Sequence, residues 1–517
     1  MSARRVTIDG GSLTLEDARS VAHDGTLIDI GPGVGKRIDE ARSYVDRIIA
    51  DGRVVYGITT GFGKFSDVTI DGDDVLELQR NLILSHCCGV GEPLDREKTR
   101  AMMLLRANVL AKGYSGARLR VLETLVEMLN RGVLPVIPSR GSVGASGDLA
   151  PLAHLASVMI GEGTARWEGK LMDGRSAMEA AGIQPLTLHA KEGLALINGT
   201  QFMTGIGLLA LFKAETIAKC ADIACAMTLE ALRGTDAAYL PLTHDVRPHP
   251  GQVATARNLM RLLDGSRILP AHADPASDKK VQDAYSLRCA PQVHGAGKDA
   301  LAHVRRVLEI EVNAATDNPL VFPAEDRVIS GGNFHGQPVS QAMDFMSIAV
   351  THTAGISERR VEYMLDPATS EHLPAFLTQS GGLHSGMMIA QVTAAALVSE
   401  NKTLAHPASV DSIPTSANKE DYVSMGAYAA RKADDVCMNA LVVLAVELLC
   451  AAQALEFGEG LEPGRGVGAA RRVIREHVPH LDADRPQTPD IETVARLVLE
   501  GQILGAVEDA VGPLGLA

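Results

Sequence analysis

Apolar residues recur at helical spacing over most of this chain. Between Arg118 and Asn130, Leu119, Leu122, Leu125, Val126 and Leu129 fall on one face, and Gly132 follows as a stop. Residues 100–112 repeat the pattern. Up to about Pro185, glycines and short polar stretches break it. Val54, Val55 and Tyr56 predict a short extended piece entering a glycine-rich loop over 57–63, and residues 166–174, around Trp167, predict a hairpin. Beyond Glu192 the texture changes. Residues 202–233 contain no proline and run up to Gly234, a helix on the order of 45 Å long at 1.5 Å per residue. Residues 296–313, 339–365 and 425–457 predict further long helices, the last with Leu441, Leu444, Leu448 and Leu455 at helical spacing. Helices this long, apolar over a wide arc, exceed the needs of an average globular domain. They predict a bundle extended across subunits, and so a homo-oligomer. The expected organisation is mainly α, with a smaller mixed N-terminal lobe over 1–190 and the long-helix bundle with C-terminal helices over 191–517.

Composition narrows the function classes. A chain of 517 residues can bury a large core, and with 46% hydrophobic but 3% aromatic residues that core is aliphatic. The formal charge of −14 speaks against nucleic acid or an anionic membrane as partner. No uninterrupted apolar run of membrane-helix length is apparent; the best stretch, 206–212, is soon broken by Lys213 and Glu215. The N-terminus lacks the apolar centre of a signal peptide. The seven cysteines, Cys87, Cys88, Cys220, Cys225, Cys289, Cys437 and Cys450, form no Cys-x-x-Cys pair. Free thiols in a reducing cytoplasm are expected. His244 and His249 lack a matching ligand cluster, so no metal is expected. The run Gly31 to Lys36 has the wrong spacing for a phosphate loop.

One segment can do chemistry on its own backbone. In Gly144-Ala145-Ser146-Gly147-Asp148 the unhindered Gly147 nitrogen can attack the Ala145 carbonyl carbon, closing a five-membered ring. Loss of water from that ring and from the Ser146 side chain leaves a methylidene conjugated to an imidazolone, a strong electrophile. Small residues permit the strained backbone this needs. With the following Leu149-Ala150-Pro151-Leu152-Ala153-His154, the segment resembles the signature of the aromatic amino-acid ammonia-lyase family, and the similarity extends from Val55 to about Phe457.

The resemblance implies a homotetramer with a core of long helices, a small-molecule amino acid as substrate, and no external cofactor beyond a 4-methylidene-imidazol-5-one formed from Ala145, Ser146 and Gly147. Tyr56, in Tyr56-Gly57-Ile58-Thr59-Thr60-Gly61-Phe62-Gly63, matches the family's base for the substrate β-proton. Arg288 matches its carboxylate anchor, with Gln282 and Tyr285 in the same pocket; the residues alone leave an internal salt bridge for Arg288 equally open. Asn198 matches a residue touching substrate and ring, and Phe334 an aromatic beside the ring. His86 goes with polar-ringed substrates in this family, and Glu420 with an imidazole, so the expected reaction is elimination of ammonia from L-histidine to give trans-urocanate. Two positions depart from the histidine pattern, Tyr422 after Glu420-Asp421 and His384 within Gly382-Leu383-His384-Ser385-Gly386. They keep tyrosine ammonia-lyase or tyrosine 2,3-aminomutase activity as the alternative. More remote alternatives are a serine hydrolase pairing Ser146 with His154 and a non-catalytic helical scaffold.

Overall fold

The computed structural model describes residues 4–61, 74–273, 281–370, 372–458 and 460–517. The chain is mainly α-helical. The long helices expected from periodicity are Gln201–Ala231, Ala290–Glu311, Gln337–Leu365 and Gly426–Leu455. Leu119–Arg131 ends where Gly132 adopts a left-handed φ of 73°, and its Leu122, Leu125, Val126 and Leu129 are buried as the spacing requires. Arg96–Ala111 starts at Asp95, whose side chain accepts from the Lys98 amide. The hairpin around Trp167 pairs Thr164–Trp167 with Lys170–Asp173 and adds Leu134–Pro135 as a third strand. Residues 54–56 form no strand. Val55 enters a turn instead, because Thr59 bonds back onto it. Of the loop over 57–63, Phe62 and Gly63 lie outside the described residues.

The compact units differ from a division at residue 190. One unit comprises 1–209, 306–343 and 407–431; the other comprises 210–305, 344–406 and 432–517. The division falls inside each of the four long helices, so no single cut in the sequence can reproduce it. The first unit carries the small sheets: parallel Arg5–Ile8 with Leu27–Ile30, and antiparallel Val90–Pro93 with Pro138–Arg140 and Leu320–Phe322 with Arg327–Ile329. The second unit holds most of the length of the long helices and the C-terminal helices Arg465–His477, Thr488–Leu499 and Gln502–Val511.

One expectation about apolar runs is corrected. Among the described residues, one helix, Gly426–Leu455, is long and apolar enough to cross a membrane, with a mean hydropathy of 2.0 over its best window. Within that window 78% of residues are buried in the protein, which is where an all-round apolar helix of a large core belongs. Four of its charged residues cluster near the start, and Glu447 interrupts the apolar run after them. All seven cysteines are free thiols.

Candidate active site

The loop before the Leu149–Met159 helix is tied in by its own side chain. Ser142 Oγ accepts from the Gly144 amide (3.0 Å) and donates to the Gly147 carbonyl (3.2 Å), a chord that brackets Ala145 and Ser146. The Met425 amide donates to Val143 O (2.9 Å) and Ser424 Oγ to Gly144 O (3.2 Å), clamping the loop from a second side. On its other flank Gly147 lies against Gly199, and the Asp148 amide donates to Gly199 O (2.7 Å). Gly147 has φ +78°, and a Cβ there would sit 2.2 Å from the Gly199 carbonyl oxygen. No other residue fits. Asp148 is fully buried, and its Oδ2 accepts from the Phe202 and Met203 amides at the start of the Gln201–Ala231 helix, 3.0 Å each. Burial outweighs those bonds and pushes its carboxyl up to about 7.

This loop opens onto a cavity of about 940 Å³ within the first unit. Tyr56, His86, Ala145, Ser146, Asn198, Phe334 and Glu420 all line it. Tyr56 projects from a turn in which the Ile58 and Thr59 amides donate to Val55 O (3.1 Å each) and Thr60 Oγ1 accepts from Gly57 (3.2 Å). The threonines of the motif thus shape the turn that carries the phenol. His86 ends the Val75–His86 helix. Its Nδ1 lies 2.8 Å from Leu82 O, an acceptor, so Nδ1 carries the proton and Nε2 is left as an acceptor. Burial holds this imidazole below its ordinary pKa, against the opposing pull of Leu82 O and Glu420.

Glu420 sits on a tight loop closed by Thr415. Thr415 N donates to Glu420 O (2.9 Å), and Thr415 Oγ1 to Glu420 Oε2 (2.8 Å). The other carboxylate oxygen accepts from Ser146 Oγ at 3.0 Å. Asn198 caps the Glu192–Ile197 helix. Its Nδ2 donates to Asn318 O (3.0 Å), while its Oδ1 is buried with no hydrogen-bond partner among the described residues. Behind it Arg106, also buried, donates to Asn198 O (2.6 Å) and Gln201 Oε1 (2.9 Å).

Three expected residues are not brought together with these. Gln282, Tyr285 and Arg288 lie in the second unit and do not line this cavity. Among the described residues Arg288 forms no salt bridge; its Nε donates to Asp283 O (3.1 Å) and its guanidinium lies over the Tyr285 ring, 4.4 Å from the centroid. Of the two departures, Tyr422 lines the cavity, stacked on His335 with centroids 6.2 Å apart. His384 does not; its Nδ1 accepts from the Asp484 amide (3.3 Å) in the second unit. A Ser146–His154 dyad is absent. Ser146 bonds to Glu420, and His154 Nε2 accepts from the Gly89 amide (3.1 Å). Asp148, Arg106 and Thr415 were missed by sequence reasoning. Asp148 stood inside the motif, but nothing in its neighbours foretold the Phe202 and Met203 amides that receive it.

Comparison with known proteins agrees with this geometry. The sequence profile described as "Aromatic amino acid lyase" matches residues 13–476. The chain is 54% identical over 510 residues to the histidine ammonia-lyase of Myxococcus xanthus (strain DK1622), covering 99% of this chain and 100% of that one. Its structure is similar to the crystal structure of histidine ammonia-lyase from Trypanosoma cruzi, with a TM-score of 0.91 and 44% identity over 98% of this chain and 96% of that one. Tyrosine aminomutase from Streptomyces globisporus is also similar, with a TM-score of 0.93 and 40% identity over 98% and 99% of the two chains.

Proposed function

The chain belongs to the aromatic amino acid lyase family, and from that membership we propose that it eliminates ammonia from L-histidine to give trans-urocanate. The observation that carries the choice of substrate is a pair of acceptors in one cavity. Glu420 is a carboxylate, and His86, held below its ordinary pKa with its proton on Nδ1, offers Nε2. A protonated imidazole has an N–H for each, whereas the phenol of tyrosine has a single donor.

The described residues fit the self-formed electrophile. Gly147, which tolerates no Cβ, lies in a loop that the Ser142 bonds and the Gly199 contact hold on either side of the tripeptide. Once formed from Ala145, Ser146 and Gly147, the ring supplies an electron sink for the substrate's amine, so that nitrogen becomes a better leaving group and no external cofactor is needed. Every other role falls to ordinary side chains. Tyr56 takes the proton from the substrate β-carbon. Asn198 Oδ1, buried and without a partner among the described residues, accepts from the substrate ammonium. Phe334 packs beside the ring and helps to exclude water.

Arg288 holds the carboxylate with Gln282 and Tyr285. Because these three do not line the cavity of their own chain, we assign them to the cavity of a neighbouring copy in a homotetramer. The apolar residues that single helices leave exposed support such an assembly: Phe345 at 47%, Ile389 at 62% and Val392 at 51%. A cytoplasmic location belongs to the same proposal, supported by the free thiols.

The test is ammonia release from L-histidine, L-tyrosine and L-phenylalanine in parallel, with the conjugated acrylate followed by ultraviolet absorbance. Turnover of histidine alone is expected. Preferred turnover of tyrosine, or a β-amino acid product without net ammonia, would overturn the substrate assignment. Mixing inactive Tyr56→Phe and Arg288→Met subunits tests the shared site, since hybrid tetramers should regain activity that neither parent has.

A further inference from the structure

Behind the Tyr285–Arg288 turn lies a buried cluster of ionisable side chains with no role in the proposed chemistry. Arg360, on the Gln337–Leu365 helix, pairs through two nitrogens with Glu447 of the Gly426–Leu455 helix; Nη2 donates to Oε2 at 2.8 Å, and Nε to Oε1. Both side chains are wholly buried. Ser357 Oγ adds a bond to Oε2 (2.6 Å) and Thr228 Oγ1 one to Oε1 (2.9 Å), so the carboxylate is fully satisfied. Arg360 Nη1 is turned elsewhere. It donates to Ser286 O and to His294 Nε2, 3.3 Å each. A guanidinium only donates, so His294 Nε2 is an acceptor and its proton sits on Nδ1, facing Asp222 Oδ1 at 2.8 Å. An imidazole that accepts on Nε2 and donates from Nδ1 is neutral, and burial holds it below its ordinary pKa. Lys298 Nζ completes Asp222 at 2.5 Å. Two cations and two anions thus balance around one neutral ring, a paired arrangement that can be buried at tolerable cost.

The cluster grips a backbone. Of the four-residue Tyr285–Arg288 helix, the Ser286 carbonyl is taken by Arg360 and the Leu287 carbonyl by the buried Tyr239 hydroxyl (3.0 Å). Asp283, at its start, accepts from the Thr235 amide (2.8 Å) and, through its carbonyl, from Arg288 Nε (3.1 Å). A helix this short is held locally only by the Leu287 and Arg288 amides on Ala284 O and the Cys289 amide on Tyr285 O. Its inward carbonyls are fixed from outside, while the Tyr285 ring on which Arg288 rests stays 71% exposed.

We propose that Arg360 and Tyr239 are positioning residues for capture of the substrate carboxylate. They hold the 283–288 backbone so that Arg288 and Tyr285 keep one presented geometry, which a two-pronged guanidinium–carboxylate pair demands. The proposal rests on the assignment of Arg288 to the carboxylate.

Tyr239→Phe tests it with the smallest change, deleting one O–H and keeping the ring. One lost hydrogen bond of ~1–1.4 kcal/mol predicts a KM for L-histidine raised about five- to tenfold with kcat within about twofold. The loss should be confined to ligands that carry a carboxylate. Imidazolepropionate should inhibit correspondingly less well, and histamine, which lacks the carboxylate, should be unaffected. Arg360→Lys, which keeps a charge opposite Glu447 but cannot reach all its partners, should show the same split. A KM that stays at the wild-type value, or equal weakening of imidazolepropionate and histamine, overturns the proposal. Arg288→Met separates the two levels. If it retains the preference for carboxylate ligands, the assignment of Arg288 itself fails. If it loses that preference while Tyr239→Phe keeps it, the assignment stands and only the positioning role falls.

Discussion

Glu420→Gln isolates recognition of the substrate ring. Thr415 Oγ1 donates to one carboxylate oxygen at 2.8 Å. A glutamine that keeps this bond offers its single oxygen to that hydroxyl, so its NH₂ takes the place of the oxygen that now faces Ser146 and the cavity. A donor then meets the N–H of the imidazole, where an ionised acceptor stood before. Hydrogen bonds to charged groups are worth about 1.5–3 kcal/mol net, and the donor–donor contact pushes the loss toward the upper half of that range. At 1.36 kcal/mol per tenfold, kcat/KM for L-histidine should fall roughly 45- to 160-fold. The assay is urocanate absorbance under steady-state conditions. L-phenylalanine, whose ring has no N–H, serves as the control through its inhibition constant, which should stay within about twofold of wild type. Glu420 is half-buried and its loop keeps the Thr415 backbone bond, so Tm should hardly move. Equal losses for histidine and phenylalanine, or a fall of less than about threefold, would refute the role of Glu420 as the acceptor for the ring.

Ser146→Ala cannot form the methylidene; its intact mass should match the translated sequence, whereas the mature protein should be lighter by two waters, and its ammonia release should vanish. Tyr56→Phe should lower kcat by about 10²- to 10⁴-fold with KM little changed, the signature of a lost proton acceptor. Asp148 gives a pH test. Its folded pKa of about 7 lies above the ordinary 3.8, so its contribution to stability is fully present below the ordinary value and is lost as pH rises through 7. An asparagine still accepts from the Phe202 and Met203 amides and carries no such penalty. The difference in Tm between Asp148→Asn and wild type should therefore grow from pH 4 to pH 7, by up to ~4 kcal/mol in stability; a constant difference would show that Asp148 is not held protonated.

Local features were readable in the sequence where local physics decides them. The amphipathic stripe of Leu122, Leu125 and Leu129, the stop at Gly132 and the hairpin at Trp167 each depend on a few neighbouring residues. The same holds for the turn at Gly147, whose positive φ and close approach to Gly199 call for the smallest residue. Long-range pairing was not readable. Arg360 and Glu447 are separated by 87 residues, and Ser146 and Glu420 by 274, and nothing in either neighbourhood names the partner. The interleaved units escaped for a related reason, because helical periodicity runs unbroken through each division. Arg288 was assigned through the family resemblance, since its residue type left an internal salt bridge equally open, and its proposed place beside a substrate rests on a neighbouring copy of the chain.

On the proposed reading, the hydrogen bond from Ser146 to Glu420 would set the unprocessed chain in competition with its own substrate. Until the serine hydroxyl departs as water, it occupies the carboxylate oxygen that the substrate ring is proposed to need. Loss of that hydroxyl, one of the two waters that ring formation sheds, would contribute to making the electrophile and at the same time vacate the docking point. An immature chain would then be inert twice over, and a pool of unprocessed subunits would not sequester histidine from those that have matured.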